Sequence, residues 1–194
     1  MITAQSTLED VAFEICTALA AQDLIAVLVG GSAATFYAPK AYQSYDVDFI
    51  CYFDVDRDRE RQILGVLQEL GYSIVGGRIE HASNPFVVDF PKGPLLIADD
   101  ESVARYDSVQ RGNQMLHVVA PYDCVRDRLA KYFYWNDFTA LDAAVAVAVR
   151  QAAYVDPDKL RSWAQAVHAS SFREGYDVAR KFDDFLRALR AETD

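Results

Sequence analysis

The chain has 194 residues, with 29 acidic against 19 basic side chains and a formal net charge of −10. Hydrophobic residues make up 52% and charged residues 25%, the balance of an ordinary folded protein rather than a disordered one. No run of 18 apolar residues occurs, so we expect no membrane span, and the N-terminal segment lacks the pattern of a secretory signal. The acidity argues against broad, non-specific binding to a nucleic-acid backbone.

The cysteines and histidines are scattered along the chain. Cys16, Cys51 and Cys124 each lie in an apolar stretch and form no C-x-x-C pair. This spacing predicts buried free thiols and a reducing, cytoplasmic environment rather than a disulfide framework. The three histidines are equally isolated, so we expect no zinc site.

Helices and strands alternate over the first 120 residues. Apolar spacing predicts a helix over residues 7–23, with Ser6 as its N-cap. The apolar run LIAVLVGG predicts a buried strand that two glycines end. In chain order, the next predicted elements are a short helix in SAATFYAP, a strand in DVDFICYF, a helix over 56–70 ended by Gly71, a hairpin around Gly76-Gly77, a strand in NPFVVDFP and a hairpin turning at Gly112-Asn113.

From Pro121 onward the pattern is helical. Four amphipathic segments follow one another, and Asp156-Pro157 is a typical helix start. The prediction is therefore an α+β fold: a small mixed β-sheet with flanking helices in residues 1–120, followed by a C-terminal helical bundle, residues 121–194, packed on it.

Three carboxylates stand on the predicted strands. Side chains alternate along a strand, so Asp46 and Asp48 point to one face. Two such carboxylates repel each other unless a cation lies between them, and oxygen ligands of this kind suit Mg²⁺. Asp89, on a later strand, could complete a two-metal cluster in which one ion activates a hydroxyl and the other holds a triphosphate.

A glycine pair precedes the short second helix. In Gly30-Gly31-Ser32, backbone N–H groups at a helix N-terminus can approach a phosphate, and the Ser32 hydroxyl can donate to the same group. The segment is neither a P-loop nor a dinucleotide fingerprint. Each feature alone is more often structural: a turn, a solvated strand edge or a lone strand carboxylate. Their coincidence in this order carries the interpretation.

Together, GGSAATFY, SYDVDF and the later FVVDF resemble the polymerase-β-type nucleotidyltransferase superfamily, in particular its minimal prokaryotic and toxin–antitoxin-like members. The segments APYDCVRDRLAKYFYWND and FTALDAAVAVA resemble a helix pair that follows the catalytic sheet in a prokaryotic subgroup. The resemblance covers residues 24–150. Arg126 stands where the subgroup pattern has Lys, and Ala120 where it has Ser.

The resemblance implies a role for each matching residue. Asp46, Asp48 and Asp89 would form the catalytic and metal-binding triad, with two Mg²⁺ ions or Mn²⁺ in their place, and Asp89 would be the general base. A basic residue on the helix after the sheet would contact phosphate, with Arg126, Arg128 and Lys131 as candidates. The predicted nucleotide-binding set is Gly30, Gly31, Ser32, Arg128 and Lys131. From helical spacing alone, Asp127 and Lys131 are expected to form an i,i+4 ion pair.

Three functions fit the sequence. The first is transfer of a nucleoside monophosphate from a nucleoside triphosphate such as ATP to a hydroxyl of an RNA 3′ end such as tRNA, a protein or a small molecule, with release of pyrophosphate. The second is a catalytically silent nucleotidyltransferase-like protein that binds a cognate protein partner in a toxin–antitoxin or defence system. The third is a plain α/β scaffold with acidic strand ends.

Overall fold

The computed structural model describes residues 1–51, 56–98, 104–170 and 176–193. Within them, helices and strands follow the predicted alternation and then the predicted helical run. In chain order they are α1 (Leu8–Ala20), β1 (Ala26–Leu28), α2 (Gly30–Tyr37), β2 (Asp46–Cys51), α3 (Arg57–Glu69), β3 (Tyr72–Val75), β4 (Arg78–His81), β5 (Asn84–Asp89), β6 (Tyr106–Arg111), β7 (Gln114–Val119), α4 (Pro121–Trp135), α5 (Phe138–Arg150), α6 (Pro157–Ser170) and α7 (Val178–Thr193).

The strands form one mixed sheet in the order β3-β4-β5-β2-β1-β7-β6. The β1–β7 and β2–β5 pairs are parallel, and the other neighbours are antiparallel. Strand β2, which carries the predicted D-x-D motif, therefore lies inside the sheet between β5 and β1. The predicted α+β fold with a mixed sheet and a helical C-terminal part is confirmed.

The start of α1 differs from the prediction. Thr7, not Ser6, is the N-cap: its hydroxyl accepts the Asp10 N–H while the Asp10 carboxylate accepts the Thr7 N–H. This reciprocal pair is a capping box, which needs an acidic residue three positions on. Ser6 instead accepts a hydrogen bond from the N–H of Thr3. The predicted continuation of β2 through Tyr52 and Phe53 falls outside the described residues.

The C-terminal helices pack against the sheet unit through α4 and α5, both of which contact α2. One hydrophobic core runs through both parts, with its largest fully buried rings at Phe13, Phe49, Phe133 and Phe185. Strands give way to helices at residue 120, but division into two domains stays a prediction because the core is continuous. The three cysteines are free and buried, as expected. No helix in the described part of the chain has both the length and the apolar character that a membrane crossing needs.

The buried Lys181 ties α7 to the end of α4. Its ammonium group donates to the carbonyl oxygens of Tyr132 and Phe133, in the last turn of α4. The Tyr132 hydroxyl in turn donates to the Asp184 carboxylate on α7. Since the last carbonyls of a helix have no partner within it, Lys181 satisfies groups that burial would otherwise leave unbonded.

Candidate functional site

The candidate site begins where β1 turns into α2. Gly30 is the first residue of α2, earlier than the predicted start of this helix, and its φ is +68°. A Cβ at this position would lie 2.8 Å from Oδ2 of Asp48 and 3.6 Å from Nη2 of Arg128. Glycine is therefore required both by the left-handed backbone and by the close approach of two charged side chains.

The second glycine lies against a polar wall that sequence reasoning missed. A Cβ on Gly31 would lie 2.9 Å from the Ser44 hydroxyl and 3.2 Å from the Tyr42 hydroxyl. Ser44 is buried, donates to Oδ1 of Asp46 at 2.8 Å and uses its N–H to bind the hydroxyl of Thr35. The segment 40–45 looks like an ordinary polar connection in sequence, so only its contacts reveal that it holds Asp46.

Ser32 links the helix to the strand. Its hydroxyl is fully buried, donates to the Val29 carbonyl at 2.7 Å and accepts the Asp48 N–H at 3.1 Å. Both bonds fix the start of α2 against the D-x-D segment of β2. The predicted phosphate contact of Ser32 stays a prediction, whereas its positioning of Asp48 follows directly from these bonds.

The three predicted carboxylates share one face of the sheet. Asp48 lies directly opposite Asp89 in the parallel β2–β5 register, and Asp46 precedes Asp48 by one strand repeat. Asp46 and Asp89 are exposed and Asp48 is half-buried. In the described segments, no three His, Cys, Asp or Glu side chains converge closely enough to hold a metal ion.

The surroundings of Asp48 disfavour its charged form. Burial raises its pKa to about 6, with further increases from the negative charges of Asp46 and Asp89, against a lowering effect of Arg128. Such a pair of neighbouring carboxylates suits Mg²⁺, which takes one or two protein carboxylates and completes its shell with phosphate oxygens and water. The donor chemistry of Asp46 and Asp48 therefore fits this ion.

Arg128 supplies positive charge next to Gly30 and Asp48. Its side chain is 8% exposed and donates from Nε at 3.0 Å and from Nη2 at 2.6 Å to Oδ2 of Asp127, which is 18% exposed. Burial opposes the charged form, but the Asp127 carboxylate outweighs it, and the pKa of Arg128 is raised overall. Arg128 is therefore a permanently charged, fixed guanidinium beside Asp48 and Gly30.

This arrangement corrects one predicted contact. The expected Asp127–Lys131 ion pair is absent, and among the described residues Lys131 forms no ion pair within 4 Å. Asp127 binds the adjacent guanidinium because two N–H groups of Arg128 reach the same carboxylate oxygen. Lys131 stays exposed one turn further along α4, where its charge acts on Asp48.

Arg126 lies elsewhere. It is buried, forms an ion pair with Asp123 at 3.0 Å and lies over the ring of Trp163 on α6, with 5.1 Å between the guanidinium carbon and the ring centroid. The structure thus brings Gly30, Gly31, Ser32, Asp48 and Arg128 together, with Asp46, Asp89 and Lys131 around them, and directs Arg126 into the helical core instead.

The architecture has a clear structural relative. An antigenic nucleotidyltransferase-like protein from Paracoccidioides brasiliensis aligns with a TM-score of 0.59 and 11% identity, over 98% of this chain and 90% of that protein. The chain has a nucleotidyltransferase-like fold. No protein-family profile and no curated protein sequence matches it.

Two structures of the antibiotic-resistance factor ANT(2″)-Ia also align, one of them in complex with adenylyl-2″-tobramycin. Their TM-scores are 0.40 and 0.39, with 15% and 14% identity. The alignments cover 80% and 93% of this chain, and 93% and 95% of theirs.

Proposed function

We propose that this protein is an Mg²⁺-dependent nucleotidyltransferase, which moves a nucleoside monophosphate from a nucleoside triphosphate such as ATP to a hydroxyl acceptor. One observation carries the proposal. Gly30, at the start of α2, lies directly against both Asp48 and the buried Arg128 guanidinium. A helix N-terminus, which generally favours anions, a carboxylate with a raised pKa and a fixed cation therefore meet at one corner of a nucleotidyltransferase-like fold.

The triphosphate would bind at the start of α2. The backbone N–H groups at Gly30 and Gly31 belong to the free first turn of the helix, where anions are favoured. Arg128 supplies a fixed charge at this point, and the exposed Lys131 supplies a second positive charge one turn further along α4. Because Asp46, Asp48 and Asp89 would repel a bare triphosphate, these cations and the bound metal are needed to offset that repulsion.

Asp46 and Asp48 would hold the metal, as one or two Mg²⁺ ions or Mn²⁺ in their place. When bound, the ion neutralises phosphate charge and acidifies the acceptor hydroxyl. The protein keeps both carboxylates in position without it. The Ser44 hydroxyl binds Asp46, and the Ser32 hydroxyl binds the backbone N–H of Asp48.

Asp89 is the proposed general base. It is exposed, directly opposite Asp48 on the next strand, and one of its oxygens accepts the Phe90 N–H at 2.9 Å. The acceptor oxygen forms a bond to the α-phosphorus. The bond between that phosphorus and the oxygen that bridges it to the β-phosphorus breaks, and pyrophosphate leaves. The acceptor proton passes to Asp89. Positioning and charge neutralisation supply most of the rate in such transfers.

The acceptor belongs to one of three classes: an RNA 3′ end such as that of tRNA, a protein hydroxyl or a small molecule. Because the net charge is −10, a polyanionic acceptor would have to bind at a local group of basic side chains. The three free, buried thiols support the further proposal of a cytoplasmic location. A cognate protein partner of the toxin–antitoxin kind would use the C-terminal helices.

The decisive experiment is to incubate the protein with each α-labelled nucleoside triphosphate, Mg²⁺ and a cell extract, and to identify labelled products by mass spectrometry. We expect transfer of one nucleoside monophosphate, with loss of label in Asp46→Ala and Asp48→Ala but not in the exposed control Asp58→Ala. Labelling that persists in both folded site variants would refute the proposal. Nucleotide binding without transfer to any acceptor would favour the silent, partner-binding function instead.

A further inference from the structure

The face of α4 that carries Arg128 continues outward from the site. Residues three, four and seven positions apart share a helix face, so Arg128, Lys131 and Trp135 form one row. Their exposure increases along the row: Arg128 is buried, Lys131 is exposed, and the Trp135 indole has 71% of its surface exposed. The row thus leads from the candidate phosphate site to an aromatic ring in solvent.

Charges near the end of this row act on groups of the candidate site. The Lys131 ammonium interacts electrostatically with the carboxylates of both Asp48 and Asp137. Asp137 follows Trp135 by two residues, in the turn between α4 and α5, and its charge reaches the Tyr42 phenol beside Gly31. The helix face that begins with Arg128 beside Gly30 therefore ends at the turn that carries Trp135.

The spacing along α4 matches the dimensions of a nucleotide. Seven residues of α-helix rise by about 10 Å from Arg128 to Trp135, a length that a ribose and its nucleobase can span beyond the phosphates. The indole meets the Tyr134 ring edge to face, with 5.7 Å between the ring centroids and 82° between the ring planes. Phe138, which is 65% exposed, adds a second apolar ring at the same turn.

The exposure of Trp135 contrasts with the other tryptophan. Trp163 is 9% exposed and stacks on Phe133 within the helical core. Trp135 and Phe138 leave two large rings exposed within one short stretch of chain, and exposed apolar surface of this kind is a candidate binding site. An indole next to a cation suits a nucleotide, because the nucleobase can stack on the indole while Lys131 attracts the negatively charged phosphates.

We propose that Trp135 is the stacking platform for the nucleobase of the incoming nucleoside triphosphate, with Lys131 between the base and the phosphates. This assignment rests on the proposed nucleotidyltransferase function. It also predicts tolerance towards the identity of the base, since stacking on an aromatic face requires no hydrogen-bond pattern.

Fluorescence tests the assignment directly, because the chain has two tryptophans. In Trp163→Phe, Trp135 is the sole indole, and titration with Mg²⁺ and ATP, GTP, CTP or UTP should quench its emission. Tripolyphosphate with Mg²⁺ should bind, as measured by calorimetry, without quenching, because it has no base. If Trp163→Phe does not fold, the difference in emission between the wild-type protein and Trp135→Phe gives the same signal.

Affinity provides the second measurement. Trp135→Ala should weaken nucleoside triphosphate binding roughly 10- to 100-fold, the range expected for loss of one base–aromatic stack. The same variant should leave tripolyphosphate affinity unchanged, and Trp135→Phe should retain most nucleotide affinity. Tyr154→Ala, which removes a ring that is 70% exposed outside the site, is the matched control and should change neither affinity.

The outcomes separate the two proposals. If both probes bind the wild-type protein and Trp135→Ala leaves nucleotide affinity unchanged, the platform assignment is wrong while the function stands. If neither probe binds the wild-type protein, the proposed function fails and this assignment fails with it.

Discussion

Asp48→Asn should make the protein more stable at neutral pH while abolishing nucleotidyl transfer. The side chain is half-buried, and burial together with the charges of Asp46 and Asp89 disfavours its charged form in the folded protein. Asparagine keeps the shape of the side chain and removes the charge. A stability gain together with a loss of activity is the signature of a residue that is electrostatically strained in the folded state.

The magnitude follows from the pKa. Burial and the Asp46 charge raise the Asp48 pKa to about 6, from an ordinary value of 3.8. Each unit of pKa corresponds to about 1.4 kcal/mol, so the charged form costs about 3 kcal/mol at most. Because the folded-state pKa is the higher one, this penalty is fully present above pH 6 and disappears as the pH falls towards 4. We therefore expect a gain of roughly 1–3 kcal/mol at pH 7.5.

Urea denaturation in EDTA measures this gain, since the chelator removes any ion that would neutralise Asp48. The difference in unfolding free energy between Asp48→Asn and the wild-type protein should be largest at pH 7.5 and should close near pH 4. The exposed control Asp58→Asn should show little difference at either pH. An Asp48→Asn variant less stable than the wild-type protein at pH 7.5, or a gap that does not change with pH, would refute the reasoning.

Three further substitutions, two at the site and one at the contact between α7 and α4, are tested by urea denaturation. Gly30→Ala should lower the free energy of unfolding by about 1–3 kcal/mol because Gly30 has a left-handed φ. The control Gly65→Ala, inside α3 with open space at its Cβ, should raise it by about 0.5–1 kcal/mol. Equal effects of the two substitutions would contradict this account. Arg128→Met should lower the free energy of unfolding by about 3–5 kcal/mol because it leaves the partly buried Asp127 carboxylate without its counter-charge. The exposed control Arg61→Met should lower it by less than about 1 kcal/mol. Lys181→Met should lower the free energy of unfolding by about 1–3 kcal/mol because it leaves carbonyl oxygens at the end of α4 without a hydrogen-bond donor. An unchanged urea midpoint would contradict this, since it would mean that solvent bonds these carbonyls equally well.

Periodicity and turn residues were enough to predict most of the fold. The alternation of apolar residues located the strands, and both hairpins turn at the predicted glycines. The N-cap of α1 was misplaced because Ser6 and Thr7 are both good caps. Only the reciprocal bond with Asp10 decides between them, and this bond depends on the start of the helix.

Only those site residues that belong to a recognisable sequence motif could be predicted. The D-x-D spacing placed Asp46 and Asp48 on one face, and the β2–β5 register brings Asp89 opposite Asp48. Ser44 could not be found, because its role depends on a fold-dependent approach to Gly31 and not on any local pattern. The Asp127–Arg128 pair was missed because helical spacing favours i,i+4 contacts over neighbours in sequence.

The central claim is that the corner formed by Gly30, Asp48 and Arg128 binds the triphosphate of a nucleotide. Calorimetric titration of the protein with ATP, with and without Mg²⁺, tests it most directly. We predict 1:1 binding that requires Mg²⁺, is lost in Arg128→Met and Asp48→Asn, and persists in Arg61→Met. Absence of binding to the wild-type protein by ATP, the other nucleoside triphosphates and tripolyphosphate, or equal binding by both site variants, would contradict the claim.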